Sequence, residues 1–330
     1  MDEYLSAAPV PPPGLAVGLD IGGTKTLGVL LAPDGEVVAQ ARLATRPGPT
    51  DVLDGAVRAV EGVTRQAGVA MSDVVGVGVG VPGLVDADAG TVRHAVNLGI
   101  DGRPLALAEL LSARLGGVGV GIENDLNAAA VGAAHLLEAE EGHGSADLAF
   151  LALGTGLAAG LVLDGRLRRG AHGAAGEIGH VPVDPSGPPC ACGQRGCLEL
   201  YASGSAVAAL WPTTSDRPAP VELFEAAERG HLDAMLARDR YARAVAGAVR
   251  MLVLSVDVRH VVLGGGVAQL GDPLLDAVRG ALEDESAASA FLRSLDLPGR
   301  VRLAPGRVSV GAVGAAVVGR GRFTLPASAA

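Results

Sequence analysis

Alternating apolar positions and short buried runs recur along this chain, most of them closed by glycine. "LAVGLDIGG" from Leu15 reads as a strand, and "KTLGVLLAPDGEVVAQARL" from Lys25 as a hairpin turning at Asp34-Gly35. The same order returns in "DLAFLALGTG" from Asp147 and "LAAGLVLDGRLRRG" from Leu157, with Asp164-Gly165 at the second turn. Between these units the pattern predicts a helix over 51–68, a buried strand "VVGVGVGVPG", a helix after Pro104, a short strand "VGVGIEND" and a helix in "LNAAAVGAAHLL". After the second unit a cysteine-bearing loop intervenes, and helical spacing then runs from about Ser203 to Val256 with a break at Trp211–Pro220. A strand "HVVLGGG", a helix after Pro273, a strand near Val301 and a Gly/Ala-rich helix from Ser309 complete the pattern.

Strands alternating with helices predict an α/β fold: two lobes, each a βββαβαβα unit around a mixed sheet, with ligands at the carboxyl ends of strands in a central cleft. A length of 330 residues suits two lobes better than one. The expected division is a disordered leader over 1–14, a small lobe over 15–124 joined by a C-terminal helix over 309–321, and a large lobe over 125–308 carrying the cysteine loop at 180–199.

Composition narrows the classes. With 49% hydrophobic residues, 2% aromatic and 49 glycines, the core is packed from small aliphatics. A net charge of −10 without a basic cluster argues against nucleic acid as a partner. Apolar runs fall short of the roughly 18 residues of a membrane span. The opening "MDEYLSAAPVPPPG" is acidic and Pro-rich, unlike a signal peptide, so a cytoplasmic location is expected.

Three glycine turns follow three predicted strands: Gly22-Gly23-Thr24 with Lys25 beside it, "LGTG" ending at Gly156, and "LGGG" ending at Gly266. A lone Gly-Gly after a strand is commonly just a hairpin turn, whereas three such turns suit phosphates approached by bare backbone, with a nucleotide held between the lobes. A Gly-x-x-x-x-Gly-Lys-Ser/Thr loop and a helix-opening Gly-x-Gly-x-x-Gly are both absent from the sequence, which leaves an actin-like (ribonuclease H-like) ATPase lobe pair.

"IENDLNAAA" sets Asn124 and Asp125 between a strand and the helix they open. The pair is a favoured helix cap, and Asp125 equally fits a carboxylate that accepts a hydroxyl proton in phosphoryl transfer. Asp20, at the tip of the first strand, fits the Mg²⁺ carboxylate of that reaction. All three cysteines, Cys190, Cys192 and Cys197, lie within eight residues, with His180 ten residues upstream. Three thiols cannot all pair within the chain, and a His plus three Cys supply the four ligands of a closed tetrahedral Zn²⁺ site, against the plainer reading of three free thiols in a loop. Glu177 and Glu199 flank that loop. Around a metal they would join His180 as hydrogen-bonding partners of a polyol; otherwise they are solvated loop charges.

In order and spacing, "GLDIGGTKT", "VGVGVPGLVD", "ENDLNAAA", "LGTGLAAGLVLDGRLRRGAHGAAGEIGH", "CACGQRGCLE" and "VVLGGG" resemble the ROK family of sugar kinases and repressors, from about Leu15 to Gly319. The resemblance implies phosphate contacts from Gly22, Gly23, Thr24 and Lys25 and from Thr155-Gly156, and adenosine contacts near Gly265-Gly266. It implies sugar contacts from Gly83, Asn124, Asp125, Glu177, His180 and Glu199, with Asp125 as catalytic base and His180 shared between zinc and sugar. Family repressors carry an additional N-terminal DNA-binding segment, and the early first strand here favours the kinases. The expected activity is ATP-dependent phosphorylation of a hexose, glucose first, in a homodimer. The alternatives are an N-acetylglucosamine or N-acetylmannosamine kinase, and a non-catalytic sugar sensor.

Overall fold

The computed structural model describes residues 14–141 and 147–321; the expected leader lies, but for Gly14, outside the described residues. These form two compact units, 14–141 together with 307–321, and 147–306.

In the first unit β1 (Leu15–Ile21), β2 (Lys25–Leu31) and β3 (Val37–Ala44) form an antiparallel meander. Helix α1 (Pro49–Ala67) follows, with Pro49 in its first turn and Gly68 closing it at φ 69°. Its Val52, Ala56, Ala59, Val60 and Val63 recur at helical spacing and are buried against β2 and β3. Each such Val contributes about 1.5–3 kcal/mol by leaving water. Then come β4 (Val74–Val81), a small hairpin of β5 (Leu84–Asp86) and β6 (Thr91–Arg93), α2 (Leu107–Arg114), β7 (Val120–Asn124) and α3 (Asp125–Glu141). The sheet order is β3-β2-β1-β4-β7, with β1, β4 and β7 parallel.

The closing helix Val310–Gly319 belongs to this unit and packs on β1, β4 and α3. Glycine makes that packing possible. A Cβ on Gly18 would overlap the Ala312 carbonyl, one on Gly78 the Ala315 carbonyl, and one on Gly132 the Val310 carbonyl. The "VGVGVGV" run thus serves backbone-to-backbone approach as well as burial. Because α3 packs so closely on the closing helix, the units divide after α3, not at 124/125 as the sequence pattern suggests.

The second unit repeats the plan: β8 (Leu148–Leu153), β9 (Leu157–Leu163) and β10 (Arg166–Leu167) are antiparallel, with Asp164 and Gly165 at φ 52° and 65° in a two-residue turn. A Gly/Pro-rich segment leads to α4 (Glu199–Ala202), α5 (Gly204–Leu210), α6 (Ala219–Glu228) and α7 (Leu232–Val256). Parallel β11 (His260–Gly264), then α8 (Asp272–Ser286), α9 (Ala290–Ser294), α10 (Leu297–Arg300) and β12 (Val301–Leu303) complete it. The order β10-β9-β8-β11-β12 matches the first sheet strand for strand. Each unit has its own apolar core, the second built around fully buried Tyr241, Val245 and Val249 of α7.

Candidate functional site

The parallel strands of the first unit end side by side, and their register aligns Asp20 of β1 with Gly80 of β4, and Val81 of β4 with Asn124 of β7. The sheet therefore brings Asp20, Gly83, Asn124 and Asp125 to one edge. Asp20 is largely buried. Its carboxyl is held above the usual range by that burial and by the charge of Asp125, against a hydrogen bond from Ser309 and the charge of Lys25. Burial likewise raises Asp125, whose Oδ1 accepts from the Leu126 amide at 2.9 Å.

Asn124 is the helix cap. Its Oδ1 accepts from the amides of Leu126 at 3.0 Å and Asn127 at 3.4 Å, while its Nδ2 donates to the Gly83 carbonyl at 3.4 Å. Gly83 sits at φ 98°, and a Cβ there would come within 2.7 Å of the Arg93 carbonyl, so only glycine fits. Thr24 and Lys25 are exposed, and the Gly22 amide donates to the Lys25 carbonyl at 2.9 Å to close the β1–β2 turn.

The sequence reading missed two residues here. Glu123 is buried at the end of β7, where its Oε1 accepts from the Asn124 amide and from Asn127 Nδ2, both at 3.0 Å. An acid inside an apolar strand was the available signal. Ser309 Oγ lies 3.2 Å from Asp20 Oδ2, a contact no local pattern announces.

In the second unit two glycine turns meet because β8 and β11 are parallel neighbours. Gly265, at φ 86°, lies so near Leu153 that a Cβ would come within 2.7 Å of its backbone, while Gly266 faces open space. Thr155 is exposed at the tip of the β8–β9 turn, which the Gly204 amide braces by donating to the Gly154 carbonyl at 2.7 Å. Glu199 Oε2 accepts from the Leu157 amide at 2.9 Å and occupies the space a side chain on Gly156 would need. It is no solvated loop charge: it ties the end of the cysteine segment to the β8–β9 turn. Glu177 is exposed, and its carbonyl accepts from the His180 amide at 3.2 Å.

His180, Cys190, Cys192 and Cys197 converge, with one ligand atom from each lying within 4.8 Å of the others. Cys192 and Cys197 Sγ are 3.6 Å apart, and Cys190 Sγ is 3.9 Å from His180 Nδ1. A tetrahedron with Zn–S near 2.3 Å has edges of about 3.8 Å, so the separations fit zinc. Gly193 and Gly196, at φ 92° and 62°, give the segment its curl. Gln194 amides pull the exposed Cys192 thiol down to about 6, whereas burial pushes Cys197 up to about 12. Metal binding would ionise both. With Nδ1 turned to the sulfurs, Nε2 is the nitrogen left for another partner.

A cavity of about 480 Å³ in the second unit, lined by Phe224, Arg238, Asp276 and Glu283 among others, contains none of these residues. Among the described residues no helix is long and apolar enough to cross a membrane.

A model of the ROK family matches residues 16–321. A glucokinase of Streptomyces coelicolor is 34% identical over 284 residues, covering 81% of this chain and 86% of that one. An N-acetylmannosamine kinase of Haemophilus influenzae is 31% identical over 276 residues, covering 81% and 85%. The crystal structure of a ROK family glucokinase from Streptomyces griseus in complex with glucose and AMPPNP aligns with a TM-score of 0.71 at 32% identity, covering 93% of this chain and all of that one.

Proposed function

Because the chain belongs to the ROK family, we propose that it is an ATP-dependent hexose kinase that phosphorylates the 6-hydroxyl of glucose. The observation that carries this reading is the pair of acids at one edge of the first sheet, Asp20 on β1 and Asp125 just after β7, in a chain similar to a glucokinase over four-fifths of its length.

Asp125 takes the proton of the sugar hydroxyl as the oxygen forms its bond to the γ-phosphorus and the bond to the ADP oxygen breaks. Its burial favours this role, since a carboxylate whose pKa is raised is the stronger base toward the hydroxyl proton. Asn124 caps α3 through the Leu126 and Asn127 amides, and Asp125 shares only the Leu126 amide through Oδ1. Asp20 offers a hard carboxylate oxygen, the donor Mg²⁺ takes alongside phosphate oxygens, and the ion would supply charge neutralisation at the transferring group. Gly22, Gly23, Thr24, Lys25, Thr155 and Gly156 receive the phosphates, and Gly265 and Gly266 the adenosine side. Gly83, Asn124, Glu177, His180 and Glu199 hold the sugar. Zn²⁺ on His180, Cys190, Cys192 and Cys197 has a structural task, fixing the segment that carries His180 and Glu199. The protein works in the cytoplasm, where ATP is supplied and thiols stay reduced, and the family resemblance points to a homodimer.

An N-acetylmannosamine kinase is the second reading, favoured by the Haemophilus influenzae relative. A coupled ADP-release assay over glucose, mannose, N-acetylglucosamine and N-acetylmannosamine separates the two. Glucose should give the highest kcat/KM. A preference for an N-acetylated sugar selects the second reading, and sugar binding without turnover would make the protein a sensor.

A further inference from the structure

Ser309 stands 289 residues from Asp20 in sequence and touches it in the fold. Its Oγ accepts from the Ala312 amide at 3.2 Å, capping the closing helix, and lies 3.2 Å from Asp20 Oδ2. A hydroxyl has one hydrogen. An ionised carboxylate can only accept, so Ser309 donates that hydrogen to Asp20 while one of its lone pairs takes the Ala312 amide. The first turn of the helix is shaped to the same group: a Cβ on Gly311 would lie 2.9 Å from Asp20 Oδ2, so glycine leaves the carboxylate its place. The helix itself cannot drift, since the Ala312 carbonyl is seated where a Cβ of Gly18 would be, two residues before Asp20. The other charged groups acting on Asp20 are Asp125 at the start of α3 and Lys25 at the start of β2.

We propose that Ser309 is a positioning residue for the cation carboxylate: its hydroxyl, held by the closing helix, fixes Oδ2 of Asp20 and leaves Oδ1 as the oxygen offered to the divalent ion. This rests on the reading of Asp20 given above. The role differs from capping alone, because a glycine cap keeps the helix at small cost while removing the donor.

The test uses the full-length protein and its S309G, S309T and D20N variants. Mn²⁺ binding in the presence of ADP is measured by electron paramagnetic resonance, and turnover is measured against Mg²⁺ concentration. D20N should weaken Mn²⁺ binding most. S309G should weaken it about tenfold, the scale of one hydrogen bond to a charged group, and raise the half-saturating Mg²⁺ to match with glucose KM unchanged. S309T, which keeps a hydroxyl, should restore both. Wild-type Mn²⁺ affinity in S309G alongside a loss in D20N would overturn the proposal and leave Asp20 in place. The proposal also fails if S309T binds as weakly as S309G. If D20N binds Mn²⁺ as the wild type does, the cation reading of Asp20 falls and the role of Ser309 with it.

Discussion

The two sheets share one strand order, yet their strand ends carry opposite chemistry. In the first unit β1 and β7 lead to Asp20 and Asp125, with Glu123 buried behind them. In the second, β8 and β11 end in Leu153-Gly154 and Gly264-Gly265, without an acid. There the carboxylate arrives from outside the sheet, on Glu199 at the end of the cysteine segment. A duplicated scaffold differs at its strand ends: one copy gathers acids there, and the other ends in bare glycine backbone.

The sharpest way to break this contrast is to remove the charge on the first side. Asp125→Asn should lower kcat by about 10²–10⁴-fold with little change in glucose KM, as measured by steady-state assay. The same variant should melt higher at pH 7. A carboxyl whose pKa is raised on folding binds more protons folded than unfolded, so stability falls as pH rises from the unfolded value through the folded one, and an amide escapes that loss. In the wild type the acid limb of kcat should stand above the ordinary aspartate range near 3.9. A limb at or below that range would remove Asp125 as the titrating base.

On the second side the largest effect is expected from the metal segment. Elemental analysis should find roughly one equivalent of zinc in the wild type and none in Cys192→Ala, whose Tm should be lower and whose glucose KM should rise more than its ATP KM. Wild-type protein free of zinc would refute the site outright. Gly265→Ala should cost about 1–2 kcal/mol in urea unfolding and raise ATP KM, because a left-handed backbone and the Leu153 backbone both oppose a side chain. Gly266→Ala, facing open space in the chain itself, should leave the unfolding free energy unchanged. The smallest effect is expected for Glu199→Gln: an amide oxygen can still accept from Leu157, so Tm should hold while glucose KM rises several-fold. Equal loss of Tm would make Glu199 a brace and nothing more.

Much of the scaffold was legible because its signals are local. The Asp164-Gly165 turn, the break before α6 and the repeat of hairpin, helix and strand each follow from residues a few positions apart. The gathering of His180, Cys190, Cys192 and Cys197 was legible for the same reason. Asn-Asp could not be resolved locally, since either residue can cap a helix; only the folded chain shows Asn124 capping while Asp125 is left in a desolvated position. Ser309 was beyond local reading, because a serine before a helix looks the same whether or not a carboxylate lies beside it. The division of the units escaped as well, since it depends on glycine against glycine between α3 and a helix at the far end of the sequence.

That far helix makes the first unit discontinuous, whereas residues 147–306 are contiguous. During synthesis from the amino end, the first sheet emerges with the glycine-lined face of Gly18, Gly76 and Gly78 bare, and it stays bare until residues 307–321 have been made. Maturation therefore runs against translation: the half begun first is finished last, and a nascent chain halted at Gly306 leaves its oldest strands uncovered.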